Sequence, residues 1–108
     1  MIKKKFRLSG EEIKKFFEQN YIKISNKNFL IYYRDNKLEY PRFAILPKKE
    51  IFKEAVKRNK IRRQIYAIIR ELLNKGKIKN CDFFIIVQKQ ENNFKKIKEL
   101  LINLILNV

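Results

Sequence analysis

The sequence predicts an α+β fold, a two-layer sandwich with its elements in the order α-β-β-β-α-β-α. Three observations predict it. Apolar residues recur at helical spacing in three separate segments, around Ile13, Ile65 and Leu101. Between the first two segments lie runs that alternate or are rich in aromatic and branched residues, as strands are. Between the last two stands a short, almost wholly apolar run, Phe83 to Val87. The 108 residues form one domain, 1–108, with no repeat, linker or low-complexity segment.

Met1 to Leu8 reads as a mobile basic lead-in. Ser9-Gly10-Glu11-Glu12 is a capping box, in which Ser9 accepts from the third backbone N–H and Glu12 reaches back. A helix follows to about Asn20. Tyr21 to Ser25 and Asn28 to Arg34 read as strands, and Asp35-Asn36-Lys37 as the turn to a third, Leu38 to Leu46. Pro41 gives that third strand an edge or bulged position, and Pro47 closes it. The long helix runs from about Glu54 to Lys75, with Gly76 placed to stop it. Phe83 to Val87 reads as a strand covered on both faces. Phe94 to Asn107 is a last helix, with Ile97, Leu100, Leu101, Leu104 and Ile105 inward. Asp82 reads as a turn residue before its strand.

The charge narrows the function. Lys and Arg number 27 against 11 Asp and Glu, a formal net charge of +16. A polyanionic partner follows, RNA or DNA before an anionic membrane. There is no histidine, and the glycines, Gly10 and Gly76, make no phosphate loop. No carboxylate cluster suggests a metal cage, so we expect no catalytic and no metal-ligating residue on the chain. Cys81, the single cysteine, cannot form an intrachain disulfide. With no apolar signal segment or membrane-length run, it points to a reducing, cytoplasmic setting.

The basic residues are concentrated where the long helix begins. Ile61, Ile65, Ile68 and Leu72 form one apolar stripe, while Asn59, Arg63, Tyr66 and Arg70 repeat the spacing on roughly the opposite side. The run is biased to arginine, whose fork matches phosphate oxygens bidentately, and few acids stand at i+4 to pair it.

Ala55-Val56-Lys57-Arg58-Asn59-Lys60-Ile61-Arg62-Arg63, followed by Arg70-Glu71, resembles the signature helix of the protein subunit of bacterial ribonuclease P. Arg42-Phe43-Ala44-Ile45-Leu46-Pro47-Lys48-Lys49 resembles the strand and Lys-Lys pair that precede it. Asn26 to Tyr32 and Asp82 to Lys89 resemble two more of the family's strands. Three departures stand out. Lys60 replaces the third arginine of the signature, Glu50 to Glu54 fills a connection that normally holds a glycine, and Lys89 stands where the fourth strand ends in arginine.

The resemblance implies a left-handed βαβ crossover through the long helix. It implies a ribonucleoprotein that removes the 5′ leader of precursor tRNA, with catalysis carried by a large RNA subunit that also holds most of the magnesium. Lys48, Lys49, Lys57, Arg58, Asn59, Lys60, Arg62, Arg63 and Arg70 would contact that RNA. Ile13, Phe17, Phe29 and Tyr32, with Lys89 at the margin, would line a cleft for the single-stranded leader, because aromatic faces stack on any base. Phe16, Phe43, Phe83 and Phe84 are expected in the core. The protein would be monomeric by itself and would not bind a membrane. The alternative is a generic RNA-binding module such as a ribosome-associated protein, using the same helix without a leader cleft.

Overall fold

The computed structural model describes residues 3–108. Its elements are α1 (Gly10–Phe17), β1 (Ile22–Ser25), β2 (Phe29–Asp35), β3 (Arg42–Pro47), α2 (Ala55–Asn74), β4 (Cys81–Val87) and α3 (Phe94–Leu106), after a short 3-10 turn at Lys4–Phe6. The α+β class and the order of elements are those expected.

The strands form one sheet in the order β1-β2-β4-β3. The β1/β2 and β2/β4 pairs are antiparallel, and β3/β4 is parallel. Parallel neighbours cannot be joined by a tight hairpin, so the connection between β3 and β4 runs through α2. Strand periodicity then sorts the side chains. Register sets Phe29 beside Val87, and Val87 beside Pro47, on one face. Ile31, Ile85 and Ile45 follow two residues along, still on that face. These residues pack with Ile61, Ile65, Ile68, Ile69 and Leu72 of α2 and Ile97, Leu101 and Ile105 of α3 in a single core. Tyr32, Phe84 and Ala44 are register partners on the opposite face, where α1 lies.

The local chemistry of the ends is legible. Ser9 and Glu12 make both bonds of the capping box, 3.2 Å from the Glu12 N–H to Ser9 Oγ and 2.8 Å from the Ser9 N–H to Glu12 Oε1. Asn26 Oδ1 accepts from the N–H groups of Asn28 and Phe29 at 2.9 and 2.8 Å and turns the chain into β2. α2 ends in a Schellman motif. Gly76 takes φ +64°, its N–H bonds Leu73 O, and the Lys77 N–H bonds Leu72 O.

Several expectations need correction. α1 ends at Phe17, not Asn20, because the chain turns early to bring Tyr21 against Phe16 and Phe17. β3 begins at Arg42, not Leu38. Side-chain bonds from Asp35 and Asn36 to the N–H groups of Lys37 and Leu38 hold 36–40 as a loop, with Lys37 at φ +56°. β3 is an edge strand, as Pro41 indicated. The lead-in is not free from Lys4 onward. Arg7 bridges Phe43 in parallel, the Leu8 N–H donates to Phe43 O at 2.8 Å, and Leu8 is buried. This segment therefore covers the open edge of β3. Met1 and Ile2 lie outside the described residues. β4 is covered fully on its core face only, since Phe84 and Ile86 on the other face stay half-buried. Asp82 is no turn residue: it sits within β4, 4% exposed, on the α1 side of the sheet.

Candidate nucleic-acid interface

The first candidate surface is α2. Its apolar stripe is buried as expected, with Ile65 at 0% and Ile68 at 1% exposure. Lys57, Asn59, Lys60, Arg63 and Arg70 are exposed, and Arg62 is half-buried with Nη1 donating to Asn59 Oδ1 at 3.3 Å. Among the described residues no carboxylate forms an ion pair with Lys60, Arg62, Arg63 or Arg70. Such unpaired cations are free to meet phosphates.

Two residues of this set behave otherwise. Arg58 is half-buried, and its Nη1 donates to the carbonyls of Phe52 and Lys53 at 2.8 and 3.0 Å. It clamps the Glu50 to Glu54 connection, and Phe52 from that connection enters the core at 5% exposure. Tyr66 does not share the exposed face with Asn59 and Arg63. It is 8% exposed, and burial pushes its phenol pKa up. The reason is angular. Tyr66 is one residue, about 100°, beyond Ile65, and it lines a cavity together with Arg7 and Leu8. Lys48 and Lys49 are exposed just beyond β3, where the Lys48 N–H continues the ladder to Val87 O at 3.1 Å.

The second candidate surface lies between α1 and the sheet. Phe17 of α1 sits edge-to-face on Tyr32, Phe84 and Tyr21, with ring centroids 5.5, 5.2 and 5.5 Å away. Tyr21 meets Tyr32 at 5.1 Å. Despite these contacts Phe17 stays 40% and Tyr21 42% exposed. Ile13, one turn before Phe17, is half-exposed. Leu30, Ile86 and Leu46 are register partners that extend the same sheet face. Lys89 is exposed just past the last paired residue of β4.

Phe29 does not belong to this cleft. It is 2% exposed within the main core, because an odd separation from Tyr32 puts it on the other face of β2. Phe84 moves the opposite way, from expected core to cleft wall. Tyr21 was not singled out at all. The signal for Phe84 is its register partner Tyr32, and Tyr21 is the residue just before β1.

An ion-pair network fixes α1 over the sheet. Arg42 grips Asp82 through Nε and Nη2 at 2.9 and 2.8 Å, and its Nη1 reaches Glu12 Oε2 of α1. Asn36 Nδ2 also donates to Asp82, at 3.0 Å. The Asp82 bonds hold the Arg42 pKa above its ordinary value. The Ser9 N–H, with Arg42 assisting, holds the Glu12 carboxyl below its own. Among the described residues no group of His, Cys, Asp and Glu could hold a metal ion. No helix among them is long and apolar enough to cross a membrane.

These features define a class: small, strongly basic α+β proteins whose arginine-rich crossover helix backs onto a sheet with one partly open face. The family model described as Ribonuclease P matches residues 2–108. The ribonuclease P protein component of Mycoplasma capricolum is 39% identical over 100 residues, which cover 86% of this chain and 91% of that protein. That of Thermotoga maritima is 34% identical over 89 residues, 76% of this chain and 74% of that one. A solved structure of the Thermotoga maritima RNase P protein superposes with a TM-score of 0.82, covering 94% of this chain and 96% of that one at 29% identity. The Staphylococcus aureus RNase P protein, at 23% identity and a TM-score of 0.79, shares the fold. The chain belongs to the ribonuclease P protein family, as a protein component of the ribonuclease that matures tRNA 5′ ends. A match over nearly the whole chain disfavours the generic RNA-binding module.

Proposed function

We propose that α2 and the Lys48-Lys49 pair dock this protein on the catalytic RNA of ribonuclease P, and that the α1–sheet cleft receives the 5′ leader of precursor tRNA. The observation that carries the reading is the Phe17–Tyr21–Tyr32–Phe84 cluster, a set of touching rings in which Phe17 and Tyr21 stay open to solvent. A single strand suits it, since stacked bases need only π faces and the cations follow the phosphates. Ile13 and Lys89 flank this surface. The protein binds and orients. It supplies no nucleophile or general base, and catalysis belongs to the RNA.

Magnesium, in this reading, is held mainly by the RNA subunit. The protein's own residues do not fit a site for it, because Asp82 and Glu12 both turn their oxygens to Arg42. The protein is monomeric by itself, supported by a net charge of +16 that repels a second copy. It works in the cytoplasm, which suits the unpaired, buried thiol of Cys81.

The test is reconstitution. The full chain is combined with a bacterial ribonuclease P RNA, and precursor-tRNA cleavage is followed across magnesium concentrations. The protein should lower the magnesium the RNA requires, because its cations replace part of the screening, and should cut nothing without the RNA. An unchanged magnesium requirement, or cleavage by the protein alone, would overturn the reading.

A further inference from the structure

A cavity of about 820 Å³ opens where the amino-terminal segment, the β2–β3 connection and the end of α2 meet. It shares no lining residue with the aromatic cleft. Its volume lies within the range of about 300–1,000 Å³ that small-ligand sites occupy. We propose that it takes one unpaired nucleotide of the ribonuclease P RNA, a contact separate from the leader cleft. The inference rests on the reading that α2 carries that RNA.

Shape and charge both point to a nucleotide. Phe6, Tyr40, Leu73 and Ile78 give half-buried apolar walls. The Phe6 and Tyr40 rings stand edge-to-face at 5.8 Å and give the lining two aromatic surfaces. Lys3, Lys5 and Arg70 bring three cations to the lining against one carboxylate, Glu39. Lys5 Nζ lies over the two rings, 5.0 and 5.1 Å from their centroids, and among the described residues it pairs with no carboxylate. Asn74 and Asn80 stand exposed on the rim, and neither side-chain amide has a hydrogen-bond partner among the described residues. An amide both donates and accepts, so it can read the edge of an unstacked base.

Position supplies the link to RNA. Arg70 belongs to the exposed row of α2 and also lines this cavity. Asn74 follows it by one turn. From Arg63 to Asn74 the helix rises about 16 Å. A strand bound along α2 therefore arrives at the cavity mouth as the helix ends. A free 5′-nucleotide carries the same base-and-phosphate chemistry, and the experiment must separate the two sources.

The test uses the full chain with a bacterial ribonuclease P RNA, read by equilibrium binding and by chemical probing of unpaired nucleotides. Three variants are compared: Tyr40→Leu removes the ring, Tyr40→Phe keeps it, and Asn74→Trp fills the mouth from an exposed helix end. Tyr40→Leu and Asn74→Trp should each weaken RNA binding about tenfold, the scale of one base stack. Each should unmask one nucleotide that the wild type protects, while protections along α2 persist and Tyr40→Phe behaves as wild type. If Tyr40→Leu fails to fold by circular dichroism, Asn74→Trp decides alone. Wild-type affinity with no nucleotide unmasked overturns the proposal. In a second arm the isolated wild type is titrated with 5′-AMP and with inorganic phosphate, following the Asn74 and Asn80 amide signals by NMR. Binding of 5′-AMP there, with RNA protections unaltered in the variants, assigns the cavity to a free nucleotide and also overturns it. Failure of the underlying RNA reading looks different: the wild type itself then neither binds nor protects the RNA.

Discussion

Phe29 and Tyr32 stand three residues apart in one strand and have opposite fates. Phe29 is 2% exposed in the core, while Tyr32 joins the solvent-open ring cluster. We expect Phe29→Ala to cost about 3–5 kcal/mol of stability in urea denaturation, the scale of an emptied core site. Tyr32→Ala should leave the fold standing and weaken binding of precursor tRNA to the holoenzyme by about 1–3 kcal/mol, with no penalty on mature tRNA. Equal losses for the two RNAs would show that Tyr32 is a packing residue. Glu12 makes a second residue-scale prediction. Its carboxyl is held below the ordinary 4.5, first by the Ser9 N–H and then by the Ser9 hydroxyl and Arg42. A carboxyl depressed in the folded state stabilises fully above its unfolded pKa, and that contribution fades as pH falls through the folded value. Stability should therefore drop as the solution is acidified below about pH 4.5. Glu12→Gln should be less stable near neutrality and flatter across that acid range. A variant whose pH profile overlays the wild type would remove Glu12 from the network.

At the scale of the element, α2 divides its work by face. Arg63 is exposed and without a carboxylate partner among the described residues, so Arg63→Ala should weaken binding to the catalytic RNA by about 1–3 kcal/mol and leave the melting curve in place. Ile65 is fully buried, and Ile65→Ala should cost about 2–5 kcal/mol of stability through a cavity. The reverse pattern, an unfolded Arg63→Ala beside a silent Ile65→Ala, would contradict the helix phase. Arg58 falls between them. Its guanidinium holds the carbonyls of Phe52 and Lys53, so Arg58→Ala should lose stability and RNA affinity together. Calorimetry beside a binding assay separates these three cases. The helix also shows why element boundaries were only partly legible. Gly76 stopped α2 as read, because a left-handed residue is a local demand. β3 starts at Arg42, four residues beyond the expected Leu38, because side-chain bonds of Asp35 and Asn36 hold the loop against a strand-like sequence.

For the whole molecule, the net charge of +16 sets the character of association. Neutralising Z phosphates gives a log–log salt slope of about −0.7Z to −0.9Z, so roughly five to eight contacts make binding to the catalytic RNA steeply salt-dependent. A titration of affinity against salt checks this directly, and a near-flat line contradicts an electrostatic interface. The two candidate surfaces belong to different layers. α2 packs on one face of the sheet, and the ring cluster occupies the other beneath α1. The sheet thus stands between α2 and the cleft, and Arg42, bonded to both Asp82 and Glu12, holds α1 at its place over the cleft.

Taken alone, the sequence determined what depends on neighbours along the chain. The capping box at Ser9, the apolar stripe of α2, the stop at Gly76 and the excess of cations are all local patterns, set by periods of 3.6 and 2 and by backbone geometry. Which face of a strand becomes core is not local. The tertiary structure decided that Phe29 goes inward and Phe84 outward, that Tyr66 is buried, and that Arg42 meets Asp82 across forty positions. Pattern alone leaves both faces of an apolar strand equivalent. Only when α2 and α3 cover one face, and α1 partly covers the other, do identical side chains become core on one side and partly exposed surface on the other.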